Sequence, residues 1–236
     1  MKILKKGLAL ILVGSFCVSC STQTNKRKDI FGFMGTVGVV SHNKVQFYQN
    51  EGSSWSVIPN LDLALPKGYQ NIFWFMGTVG VVSHNKVQFY QYEGGSWSVI
   101  PELDFELPNG YQNVFGMMEA VGVVSHNKIQ FYQYYGDYSH GSWSVIPELD
   151  FELPNGYRDV FGIMGTFGVI SDNKVRFYQN YENSWSISLL DFDLPDGYQN
   201  VFGIMGAIGV IFNNKVRFYQ NYKGPWSVIP EFDFDK

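Results

Sequence analysis

Residues 78–111 read T-V-G-V-V-S-H-N-K-V-Q-F-Y-Q-Y-E-G-G-S-W-S-V-I-P-E-L-D-F-E-L-P-N-G-Y, and variants of this stretch occur five times in the 236-residue chain. The tryptophans that mark the repeats are spaced 42, 46, 42 and 41 residues apart: Trp55, Trp97, Trp143, Trp185 and Trp226. A period in the low forties that contains only strand and turn signals predicts a β-propeller with one blade per repeat. The expectation is therefore an all-β, five-bladed propeller of four-stranded repeats over residues 29–236, with an open solenoid of the same repeats as the alternative.

The second repeat gives the strands of one blade. Residues 72–76 and 78–83 are apolar on both faces, as in buried strands, and residues 86–91 alternate like a half-covered strand. Burial is therefore expected to fall from the first strand of the blade, residues 72–76, to the fourth. In the fourth strand one face is apolar and Pro101 predicts a sheet edge, because proline cannot donate to a ladder. The residues that share this apolar face are Trp97, Val99, Leu103, Phe105 and Leu107.

One glycine recurs inside the second strand of every repeat and is predicted to allow close approach of neighbouring sheets. These glycines are Gly38, Gly80, Gly122, Gly168 and Gly209.

The N-terminus has the pattern of a targeting segment. Three lysines precede an apolar stretch at residues 7–18 that is too short to span a bilayer, which predicts a signal peptide at residues 1–19. Val18-Ser19-Cys20 resembles the cleavage box of a bacterial lipoprotein, so Cys20 is the predicted lipidation site, which would carry palmitate. The alternative is an ordinary secretory signal with an incidental cysteine.

Residues 20–28 would then form a lipidated tether, and the expected location is the bacterial cell envelope. The outer membrane is favoured because Ser21 is not the Asp that usually retains lipoproteins at the inner membrane. Removal of three lysines with the signal changes the formal net charge from −4 to −7. That acidity argues against a nucleic-acid partner and against charge-driven binding to anionic lipid.

One known family has blades of this kind. The order of apolar strand, G-T-V-G-V-V at residues 77–82, Asn-Lys turn, F-Y-Q and Trp resembles the blades of the tachylectin-like five-bladed lectins, over residues 29–236 in pattern. The resemblance implies N-acetyl-sugar binding at repeated sites between blades. The sugar contacts of that family do not match this chain residue by residue, so none is transferred.

Two recurring sets of residues suggest chemistry but have simpler interpretations. His42, His84 and His126 are replaced by Asp172 and Asn213 in the last two repeats, which favours a left-handed hairpin turn over a metal site. An acidic position recurs in the outermost strand and favours a solvated edge over the paired carboxylates of a glycosidase. These acids are Asp62, Asp104, Asp150, Asp191 and Asp233. We therefore expect no enzyme activity, catalytic residue, metal or cofactor.

Two further sets are candidates for ligand binding. A glutamine ends the third strand of each repeat, where it would either anchor the following loop or contact a ligand: Gln49, Gln91, Gln133, Gln179 and Gln220. A Gly-Tyr turn followed by an amide or carboxylate would either join adjacent blades or form a sugar platform. The predicted ligand-binding residues there are Tyr69, Tyr111, Tyr157 and Tyr198, with Asn71, Asn113, Asp159 and Asn200.

The repeats also differ in places. Glu119 replaces a glycine, residues 136–140 are extra, and Trp74 replaces a glycine in the neighbouring repeat, which indicates either a unique site or drift after duplication. Because near-identical blades give equivalent sites, they favour a binding protein of either kind over an enzyme, and the first prediction is a multivalent, lectin-like carbohydrate-binding lipoprotein. The alternative is a protein-interaction scaffold at the outer membrane, and a glycosidase is disfavoured. The expected partners are the membrane through the lipid anchor, and glycans or an envelope protein.

Overall fold

The computed structural model describes residues 29–235 apart from 34, 53, 137–139, 183, 188–190, 214, 222–224 and 230–232, with residues 234 and 235 described by their backbone alone. The predicted signal peptide, Cys20 and the tether lie outside the described residues. The helices within this part of the chain are short 3₁₀ turns at Pro59–Leu61, Pro101–Leu103 and Pro147–Leu149. None of them has the length or the apolar run that crossing a membrane requires.

The described residues form five antiparallel sheets, one per repeat. Blade one contains β1 (Ile30–Phe33), β2 (Thr36–Ser41), β3 (Lys44–Asn50), β4 (Trp55–Val57) and β5 (Leu63–Ala64). Blade two contains β6 (Tyr69–Phe75), β7 (Thr78–Ser83), β8 (Lys86–Glu93), β9 (Ser96–Val99) and β10 (Phe105–Glu106). Blade three contains β11 (Asn113–Gly116), β12 (Val121–Ser125), β13 (Lys128–Tyr135), β14 (Ser142–Val145) and β15 (Phe151–Glu152). Blade four contains β16 (Asp159–Ile163), β17 (Thr166–Ser171), β18 (Lys174–Tyr181), β19 (Ser184–Ile187) and β20 (Phe192–Asp193). Blade five contains β21 (Tyr198–Ile204), β22 (Ala207–Phe212), β23 (Lys215–Gln220), β24 (Ser227–Val228) and β25 (Phe234–Asp235).

The outermost strand of each blade is split, which differs from the continuous edge strand that the sequence predicted. In blade two, β9 and β10 both pair with β8, and Pro101 begins the 3₁₀ turn between them. Proline suits this position because its fixed φ starts a turn whose first amide needs no partner. The turn also changes which side chains are buried: Val99 is 41% exposed and Ile100 is 8% exposed.

Burial follows the predicted decline only from the second strand outward. β7 is buried along nearly its whole length, whereas β6 has an exposed residue at position 70 and a half-buried one at Trp74. The second strand pairs with a strand of its own blade on each edge, and neighbouring blades cover its faces. The first strand instead faces the central channel. The third and fourth strands become progressively more exposed.

The five blades close into a ring, so the solenoid alternative is wrong. Each first strand contacts the first strands of both neighbouring blades, including β1 against β21. The hydrophobic core lies in five layers between consecutive blades, and the layer that joins blade five to blade one includes Ile30, Val37, Phe202 and Phe218. Because every layer needs two blades, the ring is the smallest unit that buries all of them.

The marker tryptophans join the blades. Trp97 stacks on Phe47 of the preceding blade with ring centroids 5.5 Å apart, and its indole N–H donates to the Leu61 carbonyl at 2.9 Å. The same stacking brings Trp55 against Phe218 of blade five, with a 5.4 Å separation of centroids. The first blade is thus attached to the last by the contact that every other pair of blades uses.

Close approach of sheets occurs at different glycines from the predicted ones. A Cβ added to Gly80 would meet the Phe73 ring of its own blade at 2.5 Å, so the second-strand glycines accommodate an aromatic ring. In the first strands, a Cβ on Gly116 would lie 1.7 Å from the Trp74 carbonyl oxygen of the preceding blade. These first-strand glycines let the backbones meet around the axis, where the structure has a cavity of about 60 Å³.

Strand direction assigns the loops to two faces of the disc. One face carries the turns between second and third strands, such as His84-Asn85, and the Gly-Tyr loops that enter the next blade. We call it the asparagine face. The opposite face carries the turns between first and second strands, which contain Met76, Met118, Met164 and Met205, and the loops between third and fourth strands. We call it the methionine face.

Candidate binding sites

The Gly-Tyr tyrosines on the asparagine face lie between blades. Tyr69 is 4% exposed and Tyr157 is 8% exposed, while Tyr111 and Tyr198 are half-buried against the inter-blade cores. The Tyr111 hydroxyl is shared between Gln70 Oε1 at 2.5 Å and the His84 carbonyl at 2.7 Å, both in the preceding blade. Tyr157 donates in the same way to Gln112 Oε1 at 3.0 Å. Burial raises the pKa of Tyr111 and Tyr157.

The amide that follows each tyrosine contacts the opposite neighbour. Asn71 Nδ2 donates to Asn113 Oδ1 at 3.0 Å and to the Val114 carbonyl at 2.6 Å, both in the following blade. Asn113 Nδ2 donates in turn to Asp159 Oδ1 at 2.8 Å and to the Val160 carbonyl at 3.0 Å. The side-chain carboxylate of Asp159 has no N–H to donate, so this series of side-chain donors along the inner strands ends at blade four.

The predicted tyrosine–amide pairs are therefore divided between two interfaces. In blades two and five the register shifts between Tyr69 and Asn71 and between Tyr198 and Asn200, which turns the two side chains apart. Asn200 Oδ1 accepts from the Val201 amide at 2.8 Å. Ligand binding by these eight residues stays a prediction, and the hydrogen bonds described above give Asn71, Tyr111, Asn113 and Tyr157 a role in joining blades.

The turn interpretation of the histidines is confirmed. All five equivalent residues have left-handed backbone, with φ of 50° at His42, 56° at His84, 49° at His126, 47° at Asp172 and 50° at Asn213. In the part of the chain that the structure describes, no three His, Cys, Asp or Glu side chains are grouped as a metal site would require.

The recurring acids on the outermost strand form ion pairs, where a solvated edge was expected. Asp104 lies 2.8 Å from Lys86 Nζ, and its side chain is only 10% exposed. In blade four the partner changes: Arg176 binds Asp191 through Nε at 3.2 Å and Nη2 at 2.9 Å. The Arg176 guanidinium lowers the pKa of Asp191 through this hydrogen bond. These pairs connect the outer segment of each blade to its third strand.

The recurring glutamines lie at the methionine-face end of the third strands, on the blade face that packs against the next blade, and we call each of these five positions an inter-blade groove. Gln49 follows Phe47 by two residues on β3, so it projects from the same blade face about 7 Å further along the strand. That blade face is the one on which Trp97 of the next blade stacks. The glutamines are half-buried at Gln91 and Gln133 and exposed at Gln49, Gln179 and Gln220. Among the described residues no hydrogen bond engages these five amides, so the loop-anchoring alternative has no contact to support it.

Each groove is completed by a residue of the next blade. In two grooves it is a tyrosine whose ring meets the marker tryptophan edge-on: Tyr92 with Trp97 at 5.5 Å and Tyr134 with Trp143 at 5.4 Å. In the other grooves this position is an asparagine, and Asn180 has a buried Nδ2 without a hydrogen-bond partner. A groove thus contains an indole ring, a glutamine amide that has no hydrogen bond among the described residues, and either a phenol or a second amide.

The unique features predicted for one site are separated in the structure. Trp74 lines the central channel between blades one and two, and its buried indole N–H has no acceptor. Glu119 is exposed on the methionine face in blade three. Of the extra segment, Gly136 and His140 are described and exposed on the same face, and residues 137–139 lie outside the described residues.

The methionine turns were missed by sequence analysis, although the sequence carries a signal for them. A methionine precedes the turn glycine in the first-to-second-strand connection of four repeats and precedes Glu119 in the third. Turns favour Gly, Asn, Asp and Ser, so a recurring apolar residue there is unusual. Met76 is 44% exposed and Met205 is 59% exposed, so burial does not explain the choice.

Comparison with known proteins supports the fold and goes no further. No family model and no curated protein matches the chain by sequence. A fungal lectin from Aleuria aurantia, described as a six-bladed β-propeller with a novel mode of fucose recognition, is similar with a TM-score of 0.52 and 15% identity, over 88% of this chain and 76% of that one. A functionally unknown protein from Desulfotomaculum acetoxidans gives a TM-score of 0.46 and 11% identity over 88% and 69% of the two chains. Kluyveromyces lactis Hsv2 gives 0.44 and 12% over 88% of this chain and 63% of its own, slightly less than two thirds of its length.

Proposed function

We propose that this protein is a multivalent carbohydrate-binding module, without enzymatic activity, that is attached to the bacterial envelope through a lipid on Cys20. The observation that carries the proposal is the fivefold recurrence of a glutamine amide without a hydrogen bond beside a tryptophan, in the grooves between blades. Indole and phenol rings offer apolar contact to a sugar face, and amides donate to and accept from hydroxyl groups. Five shallow sites of modest affinity would act together on a polyvalent glycan.

The entry point of the chain favours these grooves over the Gly-Tyr loops. Ile30 begins β1 at the asparagine face, so a lipidated tether would leave the domain from that face. Residues 21–28 span at most about 28 Å when fully extended. The asparagine face would then lie near the membrane, and the grooves would open toward the side that faces away from it.

A glycan array probed with the purified full chain tests the proposal. We expect binding to a defined glycan class, stronger for polyvalent display than for the free sugar. Silence across the array would remove the lectin-like function. Cell fractionation tests the anchor separately: Cys20→Ala should release the protein from membranes, and unchanged membrane association would contradict lipidation at Cys20.

The glutamines provide the test of the site. Replacing all five with Met keeps side-chain length but removes both donor and acceptor, and should abolish glycan binding without unfolding the ring. Gln91→Met alone should cost little apparent affinity for a polyvalent glycan, because four grooves remain. The matched control is the set Gln46, Gln88 and Gln130, which lie on the same third strands but on the opposite blade face. Substitution of this control set by Met should leave binding unchanged, and a quintuple variant that folds and binds fully would exclude the grooves.

The second candidate function is a protein-interaction scaffold. It is favoured by a specific observation: exposed methionines cluster on one disc face beside the channel. Such a scaffold would bind a protein through that face, and its affinity for that protein would not change with the glutamine substitutions.

A further inference from the structure

The methionine face carries an apolar ring around the mouth of the central channel. Met76, Met118, Met164 and Met205 are 44%, 49%, 45% and 59% exposed, and each lies in the turn that leaves an innermost strand. Because the innermost strands surround the axis, their turns form a circle at its end. The mouth continues into a channel lined by Phe33, Trp74 and Ile163, so the apolar surface extends inward. Exposed apolar patches of this kind mark interaction sites on soluble domains.

Carboxylates surround this ring. Glu51, Glu93, Glu119 and Glu182 are all exposed, and each lies in or next to a loop of the methionine face. Within the described residues of this face there is no Lys or Arg, whereas Asp137 and Lys223 belong to loop segments outside them. The asparagine face differs, because Lys44, Lys86, Lys128 and Lys174 lie there and each pairs with an Asp.

We propose that the methionine face docks a cationic segment of a partner protein, in which an apolar side chain lies between Lys or Arg residues. The apolar side chain would lie over the channel mouth against the thioethers, which adapt to irregular shapes because they are unbranched and polarisable. The flanking cations would lie near the glutamates and pair with them across the rim. This site is distinct from the inter-blade grooves, so it does not depend on carbohydrate binding.

Charge selects this occupant over other macromolecules. An acidic rim repels nucleic acid and anionic lipid, which both require cations on the protein. A neutral glycan carries no positive charge to pair with four carboxylates around an apolar centre. A cationic apolar segment matches both properties, and charge complementarity would also accelerate its association.

Fluorescence anisotropy with synthetic peptides tests the proposal on the purified full chain. The probe is a labelled peptide with a central Leu-Phe pair flanked on each side by Lys-Arg. Its controls are a peptide with Glu at the flanks and a peptide with Ser-Ser at the centre. We expect the probe to bind at least about tenfold more tightly than either control at low salt, and to weaken as salt is raised. Equal affinity for the three peptides, or no binding by the probe, would overturn the proposal.

Two pairs of variants locate the site. The double variant Met164→Gln/Met205→Gln should bind the probe severalfold more weakly. The control variant Ile187→Gln should keep the affinity, because Ile187 is 60% exposed like Met205 but lies on the outer strand. The double variant Glu93→Lys/Glu119→Lys should also have a lower affinity for the probe, whereas Asp196→Lys on the asparagine face should not change it. These residues are exposed, and folding can be checked by circular dichroism. Unchanged affinity in both double variants would exclude this face, and glycan binding should be the same in every variant.

Discussion

The two faces of the disc use their polar groups in opposite ways. On the asparagine face, Asn71, Asn113 and Tyr111 make hydrogen bonds to neighbouring blades, and the lysines make ion pairs within their own blades. On the methionine face, the glutamates are exposed and the glutamine amides of the adjoining grooves have no hydrogen bond among the described residues. One face uses its polar groups to join blades, and the other exposes its carboxylates.

Repeated residues therefore have two separate origins in this chain. On the asparagine face, repeated residues recur because each blade must contact the next one. In the grooves, the glutamines recur although their amides have no hydrogen bond among the described residues, and on the methionine face methionines recur at exposed turns. Recurrence alone therefore does not distinguish a candidate binding residue from one that joins blades, and the contacts of each residue have to be compared as well.

The largest effect on stability should come from the series of side-chain donors on the asparagine face. Asn113→Ala removes the donor to Asp159 and Val160, and also the acceptor for Asn71, so about 2–3 kcal/mol of the free energy of unfolding should be lost. The matched change on the other face is Met118→Ala, which removes a side chain that is 49% exposed and should cost at most about 0.5 kcal/mol. Urea denaturation measures both variants. Similar losses in the two would contradict the division between faces.

A smaller loss is expected from the tyrosine hydroxyls. Tyr111→Phe keeps the ring and removes its donor to Gln70 and the His84 carbonyl, which should cost about 1 kcal/mol in thermal or urea unfolding. Phe at all four Gly-Tyr positions should lower stability further and leave glycan binding intact. Loss of glycan binding by that folded quadruple variant would instead support the Tyr–Asn site predicted from the sequence.

Stability should decline at alkaline pH because of the buried phenols. Burial raises the pKa of Tyr90, Tyr111, Tyr132, Tyr157 and Tyr219 above the usual value. A raised pKa in the folded state gives a contribution that is complete below the unfolded pKa of about 10 and is lost as pH rises through the folded values. We expect these tyrosines to leave the melting temperature unchanged from neutral pH to about pH 10 and to lower it above that. Tyr111→Phe should reduce this alkaline slope, and an unchanged slope in that variant would argue against the burial effect.

The smallest effect should come from the outer ion pairs. Arg176→Ala removes two hydrogen bonds to Asp191, but the side chains are 45% and 31% exposed, so a loss of at most about 1 kcal/mol is expected. Because Arg176 lowers the pKa of Asp191, this contribution is present above the usual Asp pKa of about 4 and disappears as pH falls through the folded value. Chemical denaturation at neutral pH and at pH 3 measures it. A variant that is equally destabilised at both pH values would show that the arginine acts through packing.

The repeat, the strand content and the turns could be predicted from the residues alone, because these features depend on local properties. Period-two alternation, the tryptophan spacing and the left-handed turn at His84 are each encoded within a few neighbouring residues. Sequence reasoning also identified Gln91 and Tyr111 as positions with two possible roles, but it could not choose between the roles. That choice depends on the neighbouring blade, about 42 residues away in the chain.

The contacts of those residues depend on how the five blades assemble. Ring closure brought Trp55 against Phe218, directed Tyr111 and Asn113 toward opposite neighbours, and left the glutamine amides without a hydrogen bond among the described residues. It also moved the close approach of backbones from the second-strand glycines to Gly116 and its equivalents at the axis. The physical reason is that one blade cannot bury its own faces, so burial, hydrogen-bond partners and exposure are properties of two blades together and are absent from any single repeat.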